Sequence, residues 1–173
     1  MKFWQVIAFA VVISAASLTT CLAAECRNTS SVTSSAQSVQ TNTNMKGHIW
    51  QHIGGLTQKP SGAVSGASQK SKTLFVTLDD FQNAWKTWMN KQSPSPTPKK
   101  CGGKSGSVTD CVSGSSVGVT SAYKCNNADP NGLCNDTTKI VTSYVGFWYA
   151  NSGTTGNKWI MNTAYPSQNS NCT

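Results

Sequence analysis

The pattern of apolar and polar positions is helical before a proline-rich segment and typical of β-strands after it. Before this segment, apolar residues recur at helical spacing: Phe81, Ala84, Trp85, Trp88 and Met89. Thr77 precedes the stripe as an N-cap candidate, and Asp79 and Asp80 place acidic groups in the first turn. The pattern predicts a helix whose apolar face packs in the core. Residues 93–100 carry three alternating prolines and predict an extended linker.

Beyond the linker the pattern changes to short β-branched stretches separated by glycine, asparagine and cysteine. These stretches are Gly106–Val112, Ser116–Lys124, Lys139–Tyr149 and Lys158–Tyr165. They predict one antiparallel sheet, and the last two flank a glycine-containing turn (Gly153, Gly156) that predicts a hairpin. The order of the elements predicts a disulfide-stabilised α+β fold, with N-terminal helices packed on an antiparallel sheet.

The first residues follow a different pattern, which is typical of secretion. Lys2 precedes an apolar run from Phe3 to Ala16, and small residues follow up to Ala24. We expect residues 1–24 to be a signal peptide, cleaved near Ala24, and the mature protein to be secreted to the extracellular space or the periplasm. A lipid-anchored Cys21 is the alternative. No later apolar run approaches the about 20 residues that a membrane span requires, so we expect no membrane span. We also expect the protein to be a monomer.

Residues 25–45 are rich in serine, threonine, asparagine and glutamine, and they predict a flexible polar leader. The remaining residues, 46–173, are expected to form a single α+β domain that carries the catalytic candidates. A domain of this length can bury a hydrophobic core of its own.

The cysteines indicate an oxidising compartment. The chain has seven, and cleavage would remove one (Cys21) and leave an even set: Cys26, Cys101, Cys111, Cys125, Cys134 and Cys172. Three disulfides are the natural inference, although the sequence does not choose among the possible pairings. The cysteines lack the Cys-x-x-Cys spacing of zinc sites. We therefore expect no metal.

Charge narrows the range of partners. The formal net charge is +8, with 14 Lys plus Arg against 6 Asp plus Glu. A lysine-rich, acid-poor surface favours polyanions such as nucleic acid through counterion release. Net positive charge that only keeps a secreted protein soluble is an equal alternative.

His48 and His52 are the candidates for acid–base catalysis. The chain has only 2 histidines, and no other side chain ordinarily titrates near neutral pH. If Met45–Ile53 is helical, residues four apart share one face. A pair of imidazoles suits metal-independent RNA cleavage, in which one removes the 2′-hydroxyl proton and the other protonates the leaving oxygen. Zinc binding is a weaker alternative, because Ile49 replaces the glutamate of the metalloprotease motif. Two ordinary structural histidines are the third possibility.

Three segments together carry a resemblance to a known family. They are Gly47–Ile53 with both histidines, Lys70–Phe75 before the predicted helix, and the closing Trp159–Pro166 that ends in Thr-Ala-Tyr-Pro. In content and order they resemble the metal-independent RNase toxin domains of bacteria, the EndoU-like and pancreatic-ribonuclease-like members of the barnase/EndoU group. The resemblance covers roughly residues 46–166 and rests on short motifs.

The resemblance implies a secreted endoribonuclease toxin that leaves a cyclic phosphate and uses no cofactor. His48 and His52 would be the acid and base, and Thr163 and Tyr165 would contact the phosphate and the nucleotide. Lys70 or Lys72 would bind the scissile phosphate. RNA is the implied partner, and an immunity protein is a candidate partner. Thr163 as a strand former and Tyr165 as a packed aromatic remain open. The rival function is a non-catalytic secreted module that binds a polyanion or glycan through its basic surface and the aromatics of Tyr144–Tyr149.

Overall fold

The computed structural model describes residues 23–37, 48–103, 106–151 and 158–173. Two α-helices and six strands account for most of its regular structure: α1 (Ser30–Gln37), β1 (Thr73–Leu74), α2 (Leu78–Asn90), β2 (Ser107–Ser113), β3 (Ser121–Ala128), β4 (Cys134–Val141), β5 (Tyr144–Asn151) and β6 (Trp159–Ser167). Short 3-10 helices span Cys26–Asn28, Ile49–His52 and Ser115–Val117. The fold is α+β, as predicted. Most of the predicted signal peptide, residues 1–22, lies outside the described residues.

Helix α2 confirms the helix that the apolar stripe predicts. Asp80 N–H donates to Thr77 Oγ1 (3.1 Å), and Thr77 N–H donates to Asp80 Oδ2 (2.9 Å), so a capping box satisfies the first turn. The buried face is the predicted one, except that Met89 is only partly buried. The helix ends at Asn90, before the prolines. It places Trp85 against β5, with ring centroids 5.4 Å from Phe147.

The strands form two sheets, so the prediction of one sheet is wrong. The first has the order β1-β3-β4 and the second the order β2-β5-β6, and each described pair of strands is antiparallel. The predicted strand Lys139–Tyr149 is two strands, because the chain leaves the first sheet at Val141 and enters the second at Tyr144. This run of β-branched and aromatic residues does not show where the chain passes from the first sheet to the second.

The β5–β6 hairpin confirms the prediction for the end of the chain. Its register runs from Tyr144 opposite Ser167 to Asn151 opposite Trp159. The predicted turn glycines, Gly153 and Gly156, lie outside the described residues. Strand β6 is buried along nearly its whole length.

Part of the predicted flexible leader is a packed helix. In α1, Val32, Ser35 and Ala36 are buried. Met161 N–H donates to Ser35 Oγ (2.8 Å), and Ser31 Oγ donates to the Trp159 carbonyl (2.6 Å), so the serines satisfy backbone groups of β6. Tertiary contacts thus stabilise a serine-rich segment of weak helix propensity. Residues 38–45 of the leader lie outside the described residues.

Three disulfides confirm the inference from the even cysteine set. The pairs are Cys26–Cys101, Cys111–Cys172 and Cys125–Cys134. Such a set is typical of proteins in oxidising compartments. Within the described ranges, every helix is too short or too polar to cross a membrane.

A buried carboxylate joins α2 to the second sheet. Asp110 on β2 accepts hydrogen bonds from Lys99 N–H (2.7 Å), Trp88 Nε1–H (3.2 Å) and the Tyr149 hydroxyl (2.9 Å). Burial raises the pKa of Asp110, and these donors partly oppose the shift. The end of the proline-rich segment is thereby held against the sheet.

Candidate active site

The segment that carries the histidines forms a short 3-10 helix, Ile49–His52, so the described part of Met45–Ile53 does not form the α-helix on which the shared histidine face depended. His48 is its N-cap, and residues 45–47 lie outside the described residues. Ile49 and Trp50 are fully buried, and the 3-10 helix packs on β6. These apolar contacts fix which way the following histidine points.

Gln69 holds the carbonyls of this segment in place. Its side chain is buried, and Nε2 donates to the carbonyls of Trp50 (2.8 Å) and Ile53 (2.6 Å). Its Oε1 accepts from Cys134 N–H (2.8 Å). One amide therefore uses both donors and its acceptor to join the histidine segment to β4.

Backbone hydrogen bonds to Phe75 also hold the histidine segment in place. Phe75 N–H donates to the His52 carbonyl, and Gly54 N–H donates to the Phe75 carbonyl, both at 2.8 Å. A Cβ on Gly54 would lie 2.7 Å from that Phe75 oxygen. Glycine is required here because any side chain would push the two segments apart.

His52 is held in one tautomer. Its Nδ1 lies 2.7 Å from the Thr73 carbonyl, which can only accept, so Nδ1 carries the proton and Nε2 keeps a lone pair. Burial lowers the pKa of His52 to about 4, and the positive charges of Lys72 and His48 add to the effect against the Thr73 hydrogen bond. Near neutral pH the ring is an uncharged base.

Tyr165 on β6 contacts this ring. The two ring centroids are 5.4 Å apart with an interplanar angle of 41°. The Tyr165 hydroxyl donates to the Cys172 carbonyl, and burial raises the pKa of Tyr165. A Cβ on Gly146 would lie 2.8 Å from Tyr165 Cζ, so the glycine in β5 leaves the space that the tyrosine ring occupies.

A cleft of about 290 Å³ brings together three of the six predicted catalytic and phosphate-binding residues: His52, Lys72 and Tyr165. Thr73 also lines the cleft, and its Oγ1 donates to the Pro166 carbonyl (2.6 Å), which joins β1 to β6. The other polar residues that line the cleft are Ser71, Ser167, Gln168, Asn169 and Thr173. The cleft therefore offers a neutral base, an exposed cation and several polar groups.

The other three predicted residues are not on the cleft wall that the described residues form. Thr163 is buried, and its hydroxyl has no hydrogen-bond partner within the described ranges. Lys70 is exposed on the loop before β1. His48 is half-buried and close enough to His52 to affect its pKa.

Two positioning groups were not predicted from the sequence. Gln69 lies in a polar loop rich in glycine and serine, where no periodic signal distinguishes it. The important group of Thr73 is a backbone carbonyl, which every residue has. Neither contact could be found without the tertiary structure.

Within the described ranges, no group of three or more histidine, cysteine, aspartate or glutamate side chains is placed to hold a metal ion. Comparisons of the chain with protein-family models, with curated proteins and with solved structures find no match.

Proposed function

We propose that the protein is a metal-independent endoribonuclease of the bacterial toxin type, related to the barnase/EndoU group, whose active site is the cleft of His52, Lys72 and Tyr165. The observation that carries the proposal is the tautomer of His52. Its Nδ1–H is engaged by Thr73, which leaves Nε2 as a proton acceptor beside an exposed lysine.

In the proposed reaction, His52 Nε2 removes the proton of a ribose 2′-hydroxyl. The 2′-oxygen then attacks the adjacent phosphorus, and the bond from phosphorus to the leaving 5′-oxygen breaks. The products are a 2′,3′-cyclic phosphate and a 5′-hydroxyl. In this proposal His48 donates the proton of that hydroxyl as general acid, from a position off the cleft wall but close enough to His52 to affect the pKa of His52. The ammonium of Lys72 would stabilise the negative charge that accumulates on the phosphoryl oxygens.

The remaining predicted residues have different parts in this proposal. Tyr165 positions the His52 ring through their contact. Thr163 is a buried strand residue, and Lys70 attracts RNA from outside the cleft. The three disulfides support the oxidising compartment of this proposal, and the net charge of +8 supports a polyanion such as RNA as substrate. The proposal also includes a monomeric state and an immunity protein as partner.

Two substitutions of His52 test the base. In His52→Asn, the amide nitrogen can still donate to the Thr73 carbonyl, but no lone pair replaces Nε2. We expect His52→Asn and His52→Ala each to reduce cleavage of a labelled RNA by about 10²–10⁴-fold, the usual contribution of a positioned general base. Cleavage by the wild type should be unchanged by a chelator, and a 2′-deoxy residue at the cleaved position should block it.

Lys72→Ala and Lys86→Ala form a matched pair for the phosphate contact. Both lysines are exposed, and Lys86 lies on α2, outside the cleft. Lys72→Ala should reduce cleavage and Lys86→Ala should not, although both remove one charge. Full activity in His52→Asn, or loss of wild-type activity in EDTA with recovery in zinc, would contradict the proposal.

A second candidate is a non-catalytic module that binds a polyanion or glycan. Half of the predicted catalytic and phosphate-binding residues lie off the cleft wall, while Lys70 and Lys72 are both exposed, and this arrangement favours binding without chemistry. The aromatic surface predicted for this module, Tyr144–Tyr149, is smaller than expected because Phe147 and Tyr149 are fully buried. Tight RNA binding without cleavage would support this candidate.

A further inference from the structure

A second depression, of about 520 Å³, lies beside the cleft. It is lined by Tyr144, Gln168, Asn169, Ser170 and Asn171, which we name the amide shelf. Gln168 and Asn169 also line the cleft of His52. The two depressions therefore adjoin at Gln168 and Asn169, and together they are named the groove.

The amide shelf is built where the β5–β6 hairpin ends. Tyr144, the first residue of β5, is opposite Ser167, the last residue of β6, and Ser143 N–H donates to the Ser167 carbonyl (3.2 Å). The chain after β6 then turns back, and the Cys111–Cys172 disulfide ties it to β2. The shelf residues between Ser167 and Cys172 are held at both ends.

Internal hydrogen bonds order this segment further. Asn169 N–H donates to Ser167 Oγ (3.1 Å), and Cys172 N–H donates to the Asn169 carbonyl (3.1 Å). Asn169 Nδ2–H donates to the Thr173 carbonyl (3.2 Å). A segment ordered before binding loses little conformational entropy when a ligand binds.

The shelf and the cleft differ in charge. The side chains that line the shelf are one phenol, three amides and one hydroxyl, and none of them is charged. The cleft contains the cation Lys72. Amides donate and accept in one plane, which matches the edges of nucleobases, and a tyrosine ring can stack on the face of a base. The groove thus offers one place for a phosphate and another for an uncharged, planar, polar group.

We propose that the amide shelf is a base-binding subsite for a nucleotide next to the phosphate in the cleft, and that the substrate is single-stranded RNA. This inference rests on the proposed function. The side chain of Gln168 would contact the base edge together with the Oδ1 of Asn169 and the Nδ2 of Asn171, since Asn169 Nδ2 and Asn171 Oδ1 already bond to Thr173. Tyr144 would contact the face of the base. A base in a duplex has its pairing edge occupied and its faces stacked, so only an unpaired base can enter.

The test measures binding of a short, fluorescently labelled DNA single strand. DNA has no 2′-hydroxyl, so this probe cannot be cleaved by the proposed reaction, and its binding is informative whether or not the protein cleaves RNA. We expect Tyr144→Ala to weaken binding by about 5- to 150-fold, the range for loss of one base–aromatic stack. Tyr144→Phe should bind like the wild type. Tyr123→Ala is the matched control, because Tyr123 is a half-buried tyrosine of the first sheet.

A double variant, Gln168→Ala with Asn171→Ala, tests the amides and leaves the tyrosine in place. It should weaken binding of the single strand, and the same DNA annealed into a duplex should bind weakly to every variant. Equal binding of the single strand by wild type, Tyr144→Ala and the double variant would overturn the subsite, even if the protein proves to cleave RNA. Loss of binding to a neutral oligosaccharide in Tyr144→Ala, with the DNA unaffected, would overturn it in favour of a glycan.

Discussion

Acidification should destabilise the folded protein through His52. In the folded state burial lowers the pKa of His52 to about 4, from the ordinary value of 6.5. Between these two values the unfolded chain binds the proton and the folded chain does not, so the free energy of unfolding falls as pH falls. The stabilisation from the neutral ring is complete above pH 6.5 and is lost progressively as the pH approaches about 4.

The size of the effect follows from the pKa difference. A shift from 6.5 to about 4, at about 1.4 kcal/mol per unit, corresponds to roughly 3 kcal/mol. Because His52 keeps some contact with solvent, we expect about 2–3 kcal/mol. With a urea m-value of about 2 kcal/mol/M, the unfolding midpoint should fall by about 1–1.5 M.

Urea unfolding of the wild type and His52→Asn, followed by tryptophan fluorescence between about pH 7 and pH 4.5, isolates this contribution. Asparagine does not titrate, and it can retain the hydrogen bond to Thr73. Asp110 has a raised pKa and acts in the opposite direction, but it is common to both proteins and cancels in the difference. The wild-type midpoint should fall more steeply with acid than that of His52→Asn. Parallel curves for the two proteins would refute the reasoning.

Two further predictions concern residues that support the cleft. Gly146→Ala places a Cβ 2.8 Å from Tyr165 Cζ and 3.1 Å from Cys172 Cβ, and we expect it to reduce the free energy of unfolding by about 1–3 kcal/mol and to weaken RNA cleavage. Gln69→Ala leaves two carbonyls and one N–H without their buried partner, and we expect a loss of about 2–4 kcal/mol with reduced cleavage. Urea unfolding and the RNA assay measure both.

Controls for these two predictions are available in the chain. Among the described residues, a Cβ on Gly102 would meet the Ala23 side chain at 3.2 Å, and Ala23 belongs to the predicted signal peptide. Gln82 is an exposed glutamine on α2. Gly102→Ala and Gln82→Ala should therefore each change stability by less than about 0.5 kcal/mol. The cost of Gly146→Ala should also shrink in a Tyr165→Leu background, since the clashing ring is absent. Unaltered stability in Gly146→Ala or Gln69→Ala would show that the packing or the hydrogen bonds described for them do not matter.

Local sequence patterns predicted the structure correctly where the residues that contact each other are close together in the sequence. The sequence alone determined helix α2, because the capping box and the apolar stripe lie within one continuous segment, and it determined the β5–β6 hairpin, because the two strands are neighbours along the chain. It also predicted that there are three disulfides, since six cysteines are left if the predicted signal peptide is cleaved. Each of these depends on composition or on residues a few positions apart.

Only the tertiary structure decided the features that depend on residues far apart in sequence. It decided the disulfide pairing, the division into two sheets and the packed helix α1, whose serines bond to β6 across more than one hundred residues. At the site it placed Lys72 in the cleft and Lys70 outside it, and it brought the amide shelf beside His52. The sequence alone does not show which of these two lysines lines the cleft. The backbone of β1 and the return of the chain after β6 determine which of them lines the cleft, and these depend on long-range packing that no local pattern records.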